Sequence, residues 1–150
     1  MKRNFFDWVL FVLLFIWQLP QNIVGGIMWL YFRLFGGLKL IDQTKWSFAF
    51  EAARMQGGIS LGTFCFLSPR SAKYKEVIAH ELRGHTWDSR WMGPFYLLIL
   101  GIPSILNAAF DFTKCYYSFY PEKWANKHAG LEVDENCRLR FKKEESAKKY

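Results

Sequence analysis

Cysteine and histidine are scarce in this chain, with three of each in 150 residues. Cys65, Cys115 and Cys137 show no C-x-x-C spacing and are odd in number, which argues for reduced thiols over a disulfide framework and leaves room for one pair at most. Acidic residues are also few, 13 against 20 Lys and Arg, for a net charge of +7. The basic excess is scattered, and in the tail RLRFKKEESAKKY it is interleaved with acids. No base-stacking motif accompanies it. It therefore speaks for solubility and attraction to anionic lipid headgroups, not for a nucleic-acid partner. No internal repeat is present, and no small-residue cleavage site follows the first apolar run, which separates that run from a signal peptide.

What the chain has in excess is apolar and aromatic surface, 51% and 19% of residues, gathered in stretches. That clustering points to a membrane, and the length to one domain. In NFFDWVLFVLLFIWQLPQNIVGGIMWLYFRLFGG the apolar runs 8–19 and 23–32 are each shorter than the ~20 residues that cross hydrocarbon. QLPQN lies between them. Either one long kinked helix crosses, or two short helices form a re-entrant or interfacial hairpin around Pro20. Positive charge on both flanks, Lys2 and Arg3 before and Arg33, Lys39 and Lys45 after, favours the hairpin and a cytoplasmic-facing catalytic part. A second stretch, WMGPFYLLILGIPSILNAAF, residues 91–110, carries no charge and is interrupted by Pro94, Gly101, Pro103 and Asn107.

Between the two stretches the texture is β. KWSFAFEA and GISLGTFCFLS are rich in aromatic and branched residues, and RMQGG between them suits a turn, which predicts a β-hairpin. A helix is expected from SPRSAKYKEV onward, capped by Ser68 or Ser71 with Pro69 in its first turn. Tyr74, Val77, Ile78 and Leu82 continue it at helical spacing. A later helix is expected near Pro121. The chain divides into an apolar segment 1–36, a metal-binding domain 37–137 that includes 91–110, and a charged tail 138–150.

The expected central helix carries VIAHELRGHTWDSRW, in which His80, Glu81 and His85 look like H-E-x-x-H with one residue too many. At the usual i, i+4 spacing two rings lie about 40° apart around a helix, whereas i, i+5 separates them by roughly 140°. A one-residue π-bulge restores convergence, and Gly84 lowers its steric cost. A hydrolytic zinc site needs three protein ligands, an open position for water, and a carboxylate to take the water's proton. His80 and His85 supply two ligands and Glu81 the base.

HELRGH resembles the H-E-x-x-G-H motif of the dipeptidyl-peptidase III family, which implies His80 and His85 as zinc ligands and Glu81 as base. In that family a glutamate of an E-E-C-R segment is the third ligand; ENCR, Glu135 to Arg138, has Asn136 at its place. EKWAN, residues 122–126, resembles the E-x-x-A-D/N segment of the gluzincins, notably the membrane-embedded CAAX prenyl and heat-shock proteases. That resemblance implies Glu122 as third ligand and Asn126 as the hydrogen-bond partner of a ligand histidine. One turn apart, the two share a helix face. His128 and Glu135 remain alternatives for the third ligand. Arg83 and Arg90 read as solvated helix charges or oxyanion partners, and Tyr116, Tyr117 and Tyr120 as packing aromatics, one of which could donate a proton.

The expectation is thus an α+β fold, a small zincin-like domain with one or two apolar membrane-associated segments. The implied function is a zinc metallopeptidase at the lipid bilayer acting on a peptide or protein substrate. Its alternative is a catalytically inactive membrane protein that keeps the fold for metal binding or protein interaction. A shared zinc site would put residues 85 and 122 at one depth, so the stretch 91–110 is expected to turn back at Gly101-Ile102-Pro103. Oligomeric state has no sequence signal.

Overall fold

Asn4 starts the first helix, α1 (Phe5–Trp17), with a reciprocal cap: its side chain accepts from the Asp7 amide at 2.8 Å, and Asp7 accepts from the Asn4 amide at 3.2 Å. Gln18 ends α1, and Pro20 sits in the first turn of α2 (Leu19–Tyr31), where its missing N–H costs nothing. The two axes meet at 96°. The polar residues of this corner are not a solvated loop. Gln21 donates to Ser89 Oγ at 2.9 Å and to the Gly93 carbonyl at 2.8 Å. Asn22 donates to the Phe15 carbonyl and accepts from the Thr63 amide, at 2.8 and 2.7 Å. They clamp the N-terminal helices to the remainder of the fold, while α1 itself buries no residue.

The computed structural model describes residues 3–142 and is α+β. Four strands, β1 (Leu38–Gln43), β2 (Phe48–Ala52), β3 (Gly58–Leu61) and β4 (Phe64–Leu67), form a sheet in the order β1-β2-β4-β3. The expected hairpin is placed differently. β2 pairs antiparallel with β1 and parallel with β4, so RMQGG is part of a crossover, and the tight hairpin is β3–β4, inside GISLGTFCFLS. One face of the sheet packs Ala52 and Phe66 against Met28 and Trp29 of α2 and Phe32 just after it. The other packs Ala49, Cys65 and Leu67 against Leu82 of the motif helix. β3 is left as an edge strand beside the motif.

That helix begins later than the sequence suggests. Ser68 accepts from the Ser71 amide at 3.1 Å and caps only a 3-10 turn (Ser71–Lys73), after which α3 (Lys75–Ala79) starts without a side-chain cap. A π turn, His80–His85, and α4 (Thr86–Met92) extend α3 as one rod. The rod and the following apolar helix are bent by 119° at Tyr96, not at Gly101 to Pro103, where the chain passes from a π turn (Leu97–Gly101) into α5 (Ile102–Phe110). Gly93, with φ of 52°, precedes the bend, and the Trp17 indole fills the place a side chain would take there.

α6 (Tyr120–His128) has Pro121 in its first turn, and β5 (Leu131–Val133) pairs with β6 (Leu139–Phe141). Leu139 is buried with Ala129 and Leu131. Residues 139–141 therefore belong to the folded unit and not to a tail; 143–150 lie outside the described residues. Among the described residues no single helix is long and apolar enough to cross a membrane. The bent pairs nevertheless expose large apolar side chains, among them Phe6, Val12, Ile16, Ile27, Leu98 and Phe110. Such a surface is large for a chain without a partner to cover it.

Candidate metal centre

The i, i+5 spacing resolves into convergence because HELRGH is wound as a π turn. The His80 and His85 rings meet edge to face with centroids 4.7 Å apart. Gly84 serves a purpose beyond easing the bulge. A Cβ there would lie 2.5 Å from the Ala125 carbonyl oxygen, so its absence lets α6 press its backbone against the turn. That contact delivers Glu122. Its Oε2 stands 2.9 Å from His80 Nε2 and 3.2 Å from His85 Nε2. All three residues are buried, and their ligand atoms lie within 4.8 Å of one another.

Asn126, one turn beyond Glu122, fixes the orientation of His80. Its Nδ2 donates to the Tyr117 carbonyl at 3.2 Å, which leaves Oδ1 facing His80 Nδ1 at 2.8 Å as an acceptor. His80 therefore carries a proton on Nδ1. Its Nε2 in the neutral ring is then a lone pair aimed at a carboxylate oxygen, a repulsive arrangement unless a cation, proton or metal ion, stands between them. Two imidazole nitrogens and a carboxylate oxygen are the donor set of many zinc sites, and tetrahedral bonds of ~2.0–2.1 Å set ligand atoms ~3.3 Å apart. The two separations from Glu122 Oε2 are close to that, and all three ligand atoms lie within 4.8 Å of one another, so the cluster fits a metal ion. Without a metal, the group shares protons. Burial works against the imidazolium of His85, but the Glu122 hydrogen bond and charge outweigh it, with help from Glu81 and Asp88, and hold it up at about 9. Burial likewise works against the Glu122 carboxylate, and the hydrogen bonds from both histidines hold its carboxyl well below the usual range.

Glu122 Oε1 accepts from Ser104 Oγ at 2.5 Å, and Tyr116 donates to Ser104 at 3.0 Å. Burial and the negative charge of Glu122 raise the Tyr116 phenol, which stays protonated. Tyr117 lies edge-on to His80 with centroids 5.3 Å apart. Glu81 sits across from these groups, in a cleft of about 120 Å³ whose lining includes His85, Ser104, Tyr116 and the strand β3. Glu81 Oε2 accepts from Ser60 Oγ at 2.6 Å, and Gly58 is bare where a Cβ would stand 2.5 Å from Glu81 Oε1. The carboxylate is thus laid against the edge strand and faces the cleft.

The other sequence candidates lie elsewhere. His128 Nδ1 donates to Asp88 Oδ1 at 2.6 Å and is no member of the cluster. Glu135 is exposed in the β5–β6 turn. Arg83 is exposed, Arg90 stacks on Trp87, and Tyr120 bonds the Ile99 carbonyl. Three residues near the centre escaped the sequence reading. Asp88 sits three positions after His85 on the same helix face, a spacing that could have marked it. Ser104 is a hydroxyl inside an uncharged apolar run, which is also a signal. Ser60, in a strand remote from the motif, offered none. No family model, curated protein or solved structure matches the chain. The chemistry of the centre by itself identifies no peptidase family.

Proposed function

We propose that this chain is a membrane-associated zinc metallopeptidase that hydrolyses peptide bonds, with His80, His85 and Glu122 as metal ligands and Glu81 as general base. The observation that carries this reading is the convergence of three buried donors, one of which, His85, lines the same cleft as the separately held carboxylate of Glu81. Zinc in such a site lowers the pKa of a bound water to ~7 and polarises a carbonyl. The chain's own residues do the remainder. Glu81 receives the proton of the attacking water and passes it to the leaving amine, and Ser60 keeps its carboxylate turned into the cleft. Ser104 holds Glu122 by one oxygen so that the other faces the histidines.

The edge strand β3 forms one wall of the cleft, which suits a peptide bound as an added strand. Tyr96 already reaches the Ser60 carbonyl on that side, at 3.3 Å. The exposed apolar side chains of α1, α2 and α5 support association with a lipid bilayer, with the bent pairs lying at its face and the centre on the cytoplasmic side. Metal analysis of protein purified without chelators, with Glu81→Gln alongside, tests the reading. Both proteins should hold one zinc ion, and only the wild type should cleave a quenched peptide library. Metal-free wild type would reject the reading; zinc in both with cleavage by neither would leave a metal-binding membrane protein.

A further inference from the structure

His85 has a fixed Nε2 and an unfixed Nδ1. Its Nδ1 is buried without a hydrogen-bond partner among the described residues, and so is Asp88 Oδ2. These two atoms face each other across 3.7 Å. Asp88 is 1% exposed, and its other oxygen is tied to His128 Nδ1 at 2.6 Å. His128 is partly exposed, over a groove formed by Trp91, Met92, Trp124 and Lys127. A carboxylate buried at this cost needs a purpose. One oxygen is occupied from outside, and the other is aimed at a ring whose far nitrogen faces Glu122.

We infer that Asp88 is the positioning residue for His85, accepting the Nδ1 proton so that Nε2 is presented to the metal, and that His128 is the outer clamp that holds Asp88 in place. The geometry parallels that of Asn126 on His80, but with a charged acceptor. Closing 3.7 Å to a normal hydrogen bond needs less than about 1 Å of movement. A charged acceptor raises the basicity of the ligand ring as well as fixing its tautomer, so the two histidines of the motif are oriented by different chemistry. Its consequence for affinity rests on the zinc reading above; its consequence for the hydrogen bond of His85 Nδ1–H does not.

The test compares Asp88→Ala, Asp88→Asn and His128→Ala with the wild type and with Glu132→Ala, an exposed site on β5. Zinc affinity is measured by competition with a chromophoric chelator, and the ring nitrogens of His85 are observed by nitrogen-15 NMR in the metal-free and zinc-loaded proteins. Asp88→Ala should lose roughly 10- to 100-fold in zinc affinity, as removal of ligand-orienting partners does. His128→Ala should lose less, in the same direction, and the Nδ1–H signal of His85 should shift in every Asp88 variant. Asp88→Asn keeps the volume but not the charge, and it decides the matter if the alanine variant does not fold. Affinity and Nδ1 signal matching those of Glu132→Ala would overturn the inference. If wild type binds no zinc, the metallopeptidase reading fails by itself, and a His85 Nδ1–H signal that is the same in the metal-free Asp88→Asn and wild-type proteins then overturns this one separately.

Discussion

His80 and His85 are five residues apart in the chain, yet their rings touch edge to face at 4.7 Å because the turn between them is π-wound. The bulge is held from outside as well as by its own backbone, since α6 packs on it at Gly84. Deleting Arg83 would restore H-E-x-x-H spacing in HELGH while rotating every later residue of α4 by about 100°. Ser89 would leave Gln21 and Asp88 would leave His128. The expected result is loss of stoichiometric zinc and a lower melting temperature. Retained zinc with an unchanged melting temperature would mean that packing does not impose the bulge.

Gly84→Ala asks the same question with a single methyl group. Its Cβ would stand 2.5 Å from the Ala125 carbonyl oxygen and 2.8 Å from the carbonyl carbon, so α6 must retreat. Overpacking of this kind costs about 1–3 kcal/mol. Because α6 carries both Glu122 and Asn126, zinc affinity should fall together with stability. A variant that is destabilised yet binds zinc as the wild type does would separate α6 docking from the centre.

Asn126→Ala should weaken zinc binding by roughly 10- to 100-fold, the usual consequence of losing the partner that orients a ligand histidine. It frees His80 Nδ1 and leaves the Tyr117 carbonyl without its Asn126 donor. The measurement is a competition titration beside Glu132→Ala. Equal affinities for the two variants would remove Asn126 from its assigned role.

The placement of the motif residues was legible because it is local. Periodicity placed His80, Glu81 and His85 on one helix, and Pro121 marked the start of the helix that brings Glu122 and Asn126. The sheet was less legible. Aromatic strands announce themselves, but β2 pairs with β1 and β4 instead of β3, and nothing in RMQGG distinguishes a crossover from a hairpin turn. The bend in the second apolar stretch was misplaced for a related reason. Proline at position 103 lies in the first turn of α5, where it is compatible with the helix, whereas Gly93 can take a positive φ against Trp17 and mark the true corner. Gln21 and Asn22 looked like the polar break of a hairpin, and their burial depends on partners about 40 to 70 residues away, beyond any local pattern.

The metal-free protein should lose stability as pH rises through about 9. His85 is held above its ordinary value of 6.5 by Glu122, so its contribution is complete below 6.5 and lost as the ring deprotonates near 9. Glu122 acts in the opposite sense: its carboxyl lies below the ordinary 4.5, so its share is present above 4.5 and lost only in stronger acid. Zinc must displace the His85 proton, so binding at neutral pH should release a proton and tighten as pH increases toward 9. Calorimetry in two buffers of different ionisation enthalpy measures that release. Equal heats in both buffers would contradict it.

The last prediction concerns the membrane. A centre built from His80, His85 and Glu122 fixes residues 85 and 122 within a few ångströms, although residues 91–110 lie between them in the chain. A straight crossing by that stretch would separate the two by about 30 Å. The 119° bend at Tyr96 provides the return, and α5 comes back with Ser104 bonded to Glu122 while Leu98, Ile102 and Phe110 stay exposed. The stretch should therefore enter a bilayer face without traversing it. Single cysteines at Arg83 and Lys123, both exposed on the rod and on α6, test this. In sealed vesicles, with the native cysteines replaced, an impermeant thiol reagent should reach both positions from the same side. Replacing Leu98 and Phe110 by glutamate should reduce flotation with the vesicles while zinc is retained. Labelling of the two positions from opposite sides would exclude a shared metal centre in the membrane-bound protein, and with it the proposed chemistry.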